Sequence, residues 1–234
     1  MGLYGLVGAP ALLLSRRAGR AVMVAYDRAV FALLRAVAGV RVEVRGVVPR
    51  QPCVVAAKHQ SQLDVYLLFA TLPTARFVMK ASLARVPIFG WYTRRIGCVT
   101  VDRGRPGQAG RALEALHAAG AADGQIVVYP QGTRIAPGAA APYRRGAAMF
   151  AETLALPIVP AATNAGVFWS RTGRLAGPGT AVVEFLAPLP AGLDSDAAMA
   201  MLEREIEAAS ARLLAEATGR DAAAPARPAA EEPR

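Results

Sequence analysis

The chain has 234 residues, of which 54% are hydrophobic and 19% are charged, so a sizeable core is available. Its formal net charge of +10 favours anionic partners such as phosphorylated molecules, anionic lipid headgroups or nucleic acid. Two cysteines and two histidines, scattered along the chain, exclude a disulfide framework and argue against a zinc site.

The N-terminal region has the pattern of a membrane-interface segment. Residues 1–15 carry no charge but are shorter than the roughly 20 residues that a membrane span needs. No basic residue precedes them, which argues against a secretory signal peptide. A helical pattern follows over 21–40, and Arg17, Arg28 and Arg35 fall within about 20° of one azimuth, opposite a broad apolar face. We expect residues 1–39 to lie in the membrane interface. The alternative is a pair of helices packed on the protein's own core.

Strand-like and helix-like segments alternate after Gly39. Strands are predicted at 40–46, 52–57, 76–80, 98–103, 125–130, 156–162 and 180–188. Helices are predicted at 62–71, 108–119, 146–155 and 194–217, with a turn around PIFGWY (87–92). This alternation predicts an α/β fold with a mostly parallel sheet flanked by helices. We divide the chain into N-terminal interface helices (1–39), one α/β domain (40–218) and a low-complexity, disordered tail (219–234).

Three polar stretches directly follow predicted strands: KHQSQLD (58–64), VDRGRPG (101–107) and YPQGTR (129–134). In open α/β sheets, ligand sites gather at the carboxyl ends of strands. These stretches contain Lys58, Arg103, Arg105 and Arg134, so they predict a site for an anionic ligand.

His59 and Asp64 are the candidate acid–base pair. In an unbroken helix five residues give about 140° of rotation, which would separate the two side chains. They can meet only if His59 precedes the helix and Asp64 lies in its first turn, with Ser61 as the N-cap. Asp64 could then fix the imidazole tautomer and leave the other nitrogen free as a base. An ordinary helix start with no catalytic role is the competing interpretation.

Two further candidates are weaker. Ser61 could be a nucleophile activated by His59, but nothing resembles the G-x-S-x-G turn that exposes such a serine. Lys80, at the end of RFVMK, is either a phosphate ligand or a solvated lysine at a strand end. His117 is interpreted as a solvated bystander.

Four ordered blocks resemble those of the 1-acylglycerol-3-phosphate acyltransferase family. They are KHQSQLD (58–64), VPIFGWYTRRIGCVTVDRG (86–104), YPQGTR (129–134) and LPIVPAATNAG (156–166). The resemblance runs from about Val40 to Gly166, and four blocks in order are far more specific than one H-x4-D motif.

The resemblance implies a role for each matching residue. His59 would be the general base and Asp64 its orienting carboxylate. Arg103 and Arg134 fall on the family's phosphate-binding arginines, with Lys80 as a further phosphate candidate. The acceptor pocket would include Gly132, Thr133, Gln131 and Ser61.

One position departs from the family's pattern. The third block of the family usually reads Phe-Pro-Glu-Gly-Thr-Arg, whereas this chain has Tyr129 and Gln131. Glutamine keeps the size of glutamate and one acceptor oxygen but carries no charge. The change bears on the identity of the acceptor more than on the type of reaction.

The resemblance also implies the substrates and the location. We expect acyl transfer from acyl-CoA or acyl-acyl carrier protein to lysophosphatidic acid, with no cofactor and no metal. The enzyme would contact lipid through its N-terminal segment at the cytoplasmic face of the cell membrane. Acylation of a lyso-ornithine lipid or of glycerol 3-phosphate is an alternative. A non-catalytic protein that binds anionic lipid is an alternative of another class. Nucleic acid is not expected, because the few aromatic residues are not interleaved with the basic ones.

Overall fold

A computed structural model of the chain describes residues 15–101 and 124–219, together with Gly110. The helices are α1 (Arg16–Ala38), α2 (Gln62–Thr71), α3 (Phe89–Arg95), α4 (Gly146–Leu154), α5 (Ala165–Phe168) and α6 (Ser195–Thr218). The strands are β1 (Val40–Arg45), β2 (Cys53–Ala57), β3 (Arg76–Lys80), β4 (Val99–Val101), β5 (Gln125–Val128), β6 (Ile158–Thr163) and β7 (Gly179–Phe185). A short 3-10 helix, Ala81–Arg85, follows β3.

The seven strands form one sheet in the order β1-β7-β6-β2-β5-β3-β4. Five of the six pairings are parallel, and only β6 and β7 run antiparallel. The prediction of a mostly parallel sheet flanked by helices is therefore confirmed. The predicted helix at 108–119 and the predicted tail at 219–234 lie, apart from Gly110 and Gly219, outside the described residues.

The two central strands, β2 and β5, are buried on both faces. Alternate residues of β2 point to opposite sides of the sheet. Val55 and Ala57 join the core under α2, whereas Val54 and Ala56 join the core under α4 and α6. This alternation continues past the strand, so that Lys58 and His59 leave the sheet edge on opposite faces.

The reversed polarity of β7 and β1 decides where α1 ends. Val40 pairs with Gly179 at the edge of the sheet where β2 and β5 end, because β7 is antiparallel to β6. Gly39, the C-cap of α1, adopts φ 67°, a left-handed conformation that glycine adopts without strain. The last turn of α1 therefore lies at the same edge as residues 58–64.

One predicted feature was wrong. Residues 87–92 were predicted to turn, because Pro and Gly stand close together there, but Phe89–Arg95 is the helix α3. Pro87 precedes the helix and does not interrupt it. Gly90 is required inside the helix because a Cβ atom there would lie 2.0 Å from the Ala84 carbonyl oxygen. Gly90 thus permits the backbone of α3 to approach Ala84 closely. In the sequence, a glycine with this role cannot be distinguished from a turn glycine.

Helix α1 packs on the domain through one face and exposes the other. Leu34 is buried, and Met23, Val24 and Phe31 pack against the core. Leu33 is 60% exposed and Val37 is 71% exposed near the end of the helix. Core packing of α1, which was the alternative interpretation, therefore coexists with an exposed apolar strip. Within the part of the chain that is described, no helix is both long and apolar enough to cross a membrane.

Asp27 is an unusual carboxyl group on the buried face of α1. It is 3% exposed, and its Oδ2 atom has no hydrogen-bond partner among the described residues. Burial raises its pKa to about 8, while the nearby Arg20 guanidinium acts in the opposite direction. The Tyr66 phenol of α2 also lies within electrostatic range of this carboxyl.

We expect Asp27 to make the protein less stable as the pH rises from about 4 to 8. The carboxyl of Asp27 ionises near its ordinary pKa of 3.8 in the unfolded chain, whereas in the folded protein it holds its proton up to about pH 8. In that window the folded state binds more protons, so its stability falls with rising pH. Asp27→Asn should flatten the dependence of Tm on pH and raise Tm at pH 8.5, measured by thermal unfolding in detergent. Parallel Tm profiles for the two proteins would contradict this account.

Candidate active site

His59 and Asp64 meet at the carboxyl end of β2. His59 lies in the loop after the strand, and α2 begins at Gln62 with Ser61 as its N-cap. The His59 Nδ1 atom is 2.9 Å from Asp64 Oδ1. This is the geometry that the five-residue spacing requires, because the histidine precedes the helix and the aspartate is its third residue. The predicted contact between the two side chains is present.

The Asp64 carboxylate is fully buried and accepts three hydrogen bonds. Its Oδ2 atom accepts from the backbone N–H groups of Gln60 at 2.8 Å and Ser61 at 2.7 Å. Its Oδ1 atom is left for His59. An ionised carboxylate can only accept, so neutral His59 carries its proton on Nδ1 and keeps the Nε2 lone pair free. The imidazole side chain is 17% exposed, so part of the ring is open to solvent.

The loop after β5 holds His59 from three directions. The Tyr129 ring stacks on the imidazole with the ring centroids 3.9 Å apart. Gln131 Oε1 accepts from the His59 N–H at 3.3 Å, and the Ile135 N–H donates to the His59 carbonyl oxygen at 2.8 Å. The loop turns at Gly132, whose φ of 71° suits glycine. His59 is therefore fixed through its ring and through both of its backbone polar groups.

Tyr129 was not recognised from the sequence as a partner of His59. Burial raises the pKa of its phenol well above the usual value, and the Asp64 carboxylate acts in the same direction. The phenol therefore stays neutral and cannot serve as a base. The only sequence feature that pointed to Tyr129 was its position in the third block. Its stacking on His59 becomes apparent only when β2 is paired with β5.

We expect the ring of Tyr129, rather than its hydroxyl, to matter for activity. Tyr129→Phe keeps the stack, and kcat should stay within about twofold. Tyr129→Leu removes the aromatic pair, worth about 0.5–1.5 kcal/mol, so kcat should fall by about twofold to tenfold. Initial rates of acyl transfer with both variants check this. Equal losses of kcat in Tyr129→Phe and Tyr129→Leu would assign the effect to the hydroxyl rather than to the ring.

Arg134 lies in the loop after β5, which contacts His59 in the loop after β2. It directly precedes Ile135, whose N–H reaches the His59 carbonyl, and its side chain is partly exposed. Within residues 15–101 and 124–219, no carboxylate forms a salt bridge with its guanidinium. Arg134 is thus a partly exposed cation in the loop that contacts the candidate base.

Of the other two phosphate candidates, only Lys80 lies within the described residues. Lys80 ends β3 and is exposed, and it pairs in register with Val101 at the end of β4. Arg103 follows β4 by two residues but lies outside the described residues, so its side chain is not placed. Because β2, β5, β3 and β4 are parallel neighbours, their carboxyl ends share one edge. At about 4.8 Å per strand, this edge spans about 14 Å from β2 to β4.

Three sequence-based assignments need correction. Ser61 is fully buried and its Oγ accepts from the Leu63 N–H, so it caps α2 and is neither a nucleophile nor a wall of an acceptor pocket. Gln131 is 4% exposed and accepts a hydrogen bond from the His59 N–H, so it does not line an acceptor pocket. Thr133, in contrast, is exposed. Lys58 is 1% exposed and forms a salt bridge with Glu207 of α6, so it is not available to an anionic ligand. Each error arises because burial depends on distant segments.

The arrangement suits proton abstraction beside an anion site. It provides an oriented imidazole, and the loop that contacts His59 also carries the partly exposed Arg134. Among the described residues, no cluster of three His, Cys, Asp or Glu side chains could hold a metal ion. What the residues present can do is take a proton from a substrate hydroxyl and bind a nearby phosphate.

Comparisons with known proteins agree with this arrangement. The family model described as Acyltransferase matches residues 39–164. A 1-acyl-sn-glycerol-3-phosphate acyltransferase of Pseudomonas aeruginosa is 34% identical over 187 residues, which cover 79% of this chain and 73% of that protein. The 1-acyl-sn-glycerol-3-phosphate acyltransferase alpha of Homo sapiens is 33% identical over 173 residues, which cover 71% of this chain and 61% of that protein.

A solved structure shows the same fold. The crystal structure of the 1-acyl-sn-glycerophosphate (LPA) acyltransferase PlsC from Thermotoga maritima matches with a TM-score of 0.70 and 22% sequence identity. The match covers 85% of this chain and 80% of that one. The family model spans more than half of this chain and includes both His59 and Asp64. This chain belongs to the acyltransferase family.

Proposed function

We propose that the protein transfers a fatty acyl group from acyl-CoA or acyl-acyl carrier protein to the 2-hydroxyl of 1-acyl-sn-glycerol-3-phosphate, forming phosphatidic acid. The observation that carries the proposal is the His59–Asp64 contact, which leaves Nε2 free. The partly exposed Arg134 lies in the loop that contacts His59. The names of the similar proteins from Pseudomonas aeruginosa and Homo sapiens support the same acceptor.

The proposed reaction uses His59 as the general base. His59 Nε2 accepts the proton of the 2-hydroxyl as the oxygen attacks the thioester carbonyl carbon. The tetrahedral intermediate collapses, the carbon–sulfur bond breaks, and the thiolate leaves. The imidazolium then gives its proton to the thiolate, so that one ester and one free thiol are formed and the base is regenerated. Asp64 stabilises the imidazolium and keeps its orientation. No enzyme nucleophile, cofactor or metal is required.

Arg134 binds the acceptor phosphate in this proposal, with Lys80 at the end of β3 as a second cation and Arg103 as a further candidate. A guanidinium pairs with phosphate through charge-assisted hydrogen bonds that also fix orientation. Holding the phosphate beside the base brings the 2-hydroxyl within reach of Nε2. The lipid contact is assigned to the N-terminal region, at the cytoplasmic face of the membrane. The exposed Leu33 and Val37 of α1 support this assignment.

Product analysis by mass spectrometry tests the proposal. Purified protein in mixed micelles is given one acyl thioester and, separately, 1-acylglycerol-3-phosphate, glycerol 3-phosphate and a lyso-ornithine lipid. We expect phosphatidic acid and one equivalent of free thiol with the first acceptor. Preferred acylation of either other acceptor would keep the reaction type but overturn the acceptor. The absence of thiol release with every acceptor and both donors would leave a non-catalytic lipid-binding protein.

A further inference from the structure

Exposed apolar side chains are concentrated at the edge of the sheet that carries His59. Among the described residues seven large apolar side chains are exposed, and five of them belong to segments that border this edge. The other two, Val44 and Val47, lie at the end of β1, toward the opposite edge. The five are Leu33 and Val37 of α1, Leu83 and Val86 after β3, and Leu175 before β7.

The segment 81–87, which follows β3, presents two of these side chains on one side. Leu83 and Val86 are three residues apart, and this spacing places side chains on the same face of a 3-10 helix. The Val86 N–H donates to the Leu83 carbonyl oxygen at 3.2 Å, and the Val86 carbonyl accepts from the Gly90 N–H at 2.8 Å. The two apolar side chains are therefore exposed from a backbone that is held by hydrogen bonds.

The segment 169–176, which precedes β7, is a tight hairpin. Trp169 and Leu175 form an antiparallel bridge, and the Ser170 N–H donates to the Arg174 carbonyl oxygen at 2.9 Å. The Ser170 hydroxyl oxygen also accepts from the Arg174 N–H at 3.1 Å. Trp169 packs against the core, whereas Leu175 is 41% exposed. The hairpin thus holds an apolar side chain in solvent on a fixed backbone.

The two segments flank the candidate base. Strands β3 and β7 each lie two positions from β2 in the sheet, in opposite directions. At about 4.8 Å per strand, each segment adjoins a strand that lies about 10 Å to one side of the strand before His59. A flat surface that contacts both segments therefore faces His59.

Both segments carry positive charge and no negative charge. Residues 81–87 read ASLARVP and residues 169–176 read WSRTGRLA, without an Asp or Glu. Arg85, Arg171 and Arg174 are exposed, and within the described part of the chain no carboxylate forms a salt bridge with them. Apolar side chains among such cations match an anionic lipid surface, where the arginines meet headgroups and the apolar side chains insert between them.

The spacing of the apolar side chains favours a bilayer over a protein partner. Strands β3 and β7 are about 19 Å apart in the sheet, so the exposed side chains beside them do not form one continuous patch. A protein interface has a contiguous core that is shielded from water. A bilayer needs only that separate apolar side chains reach the same plane.

We propose that segments 81–87 and 169–176 form a second lipid-docking surface, which contacts an anionic leaflet together with the end of α1. The two segments hold the sheet edge against the leaflet on both sides of His59, whereas α1 alone contacts lipid on one side only. The inference rests on the proposed function, because the leaflet is the source of the lyso-lipid in that proposal.

Partition onto vesicles tests the apolar part of this surface. The full-length chain is mixed with vesicles of phosphatidylcholine and phosphatidylglycerol, and the bound fraction is measured by sedimentation over a range of lipid concentrations. We expect Leu83→Ser/Leu175→Ser to lower the partition coefficient about tenfold, since binding scales with the apolar area that enters the leaflet. Both side chains are exposed, so Tm should change little.

Val44→Ser/Val47→Ser is the matched control. It also removes two exposed apolar side chains, but from the end of β1 toward the opposite edge of the sheet. We expect its partition coefficient to stay within about twofold of wild type. Equal losses in the two double variants, or an unchanged partition in Leu83→Ser/Leu175→Ser, would overturn the proposal.

Arg171→Gln/Arg174→Gln tests the charged part of the surface. We expect partition onto the anionic vesicles to fall about tenfold, and partition onto pure phosphatidylcholine to stay unchanged. Arg50→Gln/Arg204→Gln removes the same charge from exposed arginines outside the two segments and should have an effect of less than about twofold. Equal losses in both variants would mean that net charge, rather than this surface, attracts the lipid.

A carrier protein with acidic residues is the competing occupant of these arginines. Its binding to wild type and to Arg171→Gln/Arg174→Gln is measured by titration calorimetry, and we expect equal affinities. Weaker carrier binding with unchanged vesicle partition would assign the surface to the donor and overturn the lipid assignment. Vesicle partition needs no turnover, so an inactive wild-type protein would refute the proposed function and not this measurement. An active enzyme whose partition ignores the two segments would refute the docking surface alone.

Discussion

Replacing His59 by alanine is expected to lower kcat by about 10³-fold, in the range that a general base contributes to catalysis. The Nε2 lone pair is the group that the structure leaves free beside the anion site, and no other described residue is placed to take over its role. The remaining activity would come from binding and orientation of the two substrates. The measurement is thiol release at saturating acceptor and donor. A His59→Ala enzyme with full activity would exclude His59 as the base.

Asp64→Asn tests the orientation of the imidazole rather than its presence. The amide nitrogen of asparagine would face Nδ1 and donate to it, so the proton would move to Nε2 and the base would be blocked. We expect a loss of kcat of about 10²-fold or more. Because Asp64 also accepts two backbone N–H groups at the start of α2, a fall in Tm is expected as well.

Asp194→Asn is the control that separates the catalytic role of Asp64, which is to orient His59, from its role in stabilising the start of α2. Asp194 is the N-cap of α6 and accepts from the Ala197 N–H at 2.8 Å, far from His59. Its replacement should change stability modestly and leave kcat unchanged. Comparable kcat losses in the two asparagine variants would mean that stability alone explains the effect of Asp64→Asn.

Replacing Arg134 by alanine is expected to lower kcat/KM for a phosphate-bearing acceptor by about 10- to 100-fold. Hydrogen bonds to charged groups are worth about 1.5–3 kcal/mol. Among the described residues no carboxylate forms a salt bridge with the Arg134 guanidinium, so the guanidinium is available to the phosphate. The effect should be much smaller with monoacylglycerol, which has no phosphate. Arg134→Lys should recover part of the activity, since lysine keeps the charge but not the fork of donors.

The control for Arg134→Ala is Arg204→Ala. Arg204 lies exposed on α6, where it pairs with Glu205, and its removal changes the net charge by the same amount. We expect unchanged kcat/KM for both acceptors. If Arg134→Ala lowers the rates with and without the phosphate equally, Arg134 is not the phosphate ligand.

The sequence predicted the His59–Asp64 pair because all its determinants are local. The end of a buried strand, the capping serine and the first helical turn lie within ten residues, and their geometry follows from helix rules. The shared edge of β2, β5 and β4 was predicted for the same reason, since each polar stretch directly follows its own strand. The bounds of β3 and α2 also agree with the predicted segments.

The role of Lys58 could not be predicted because its partner is 149 residues away in the sequence. A lysine after a strand has the same local pattern whether it points to solvent or into a helix. Gln131 was misplaced in the acceptor pocket for a related reason: its burial depends on how residues 129–135 fold back on His59. The reversed polarity of β7 likewise depends on pairing between distant segments, which hydrophobic periodicity does not encode.

That reversal has a consequence for how an insoluble substrate reaches the base. Because β1 begins where β2 ends, the exposed Leu33 and Val37 of α1 and the imidazole of His59 lie at one end of the molecule. In a protein docked on a bilayer through those residues, the lyso-lipid could turn its headgroup toward His59 while its acyl chain stays in the leaflet. Turnover would then need no desorption of acceptor or product, and the rate would follow the surface density of lyso-lipid rather than its bulk concentration.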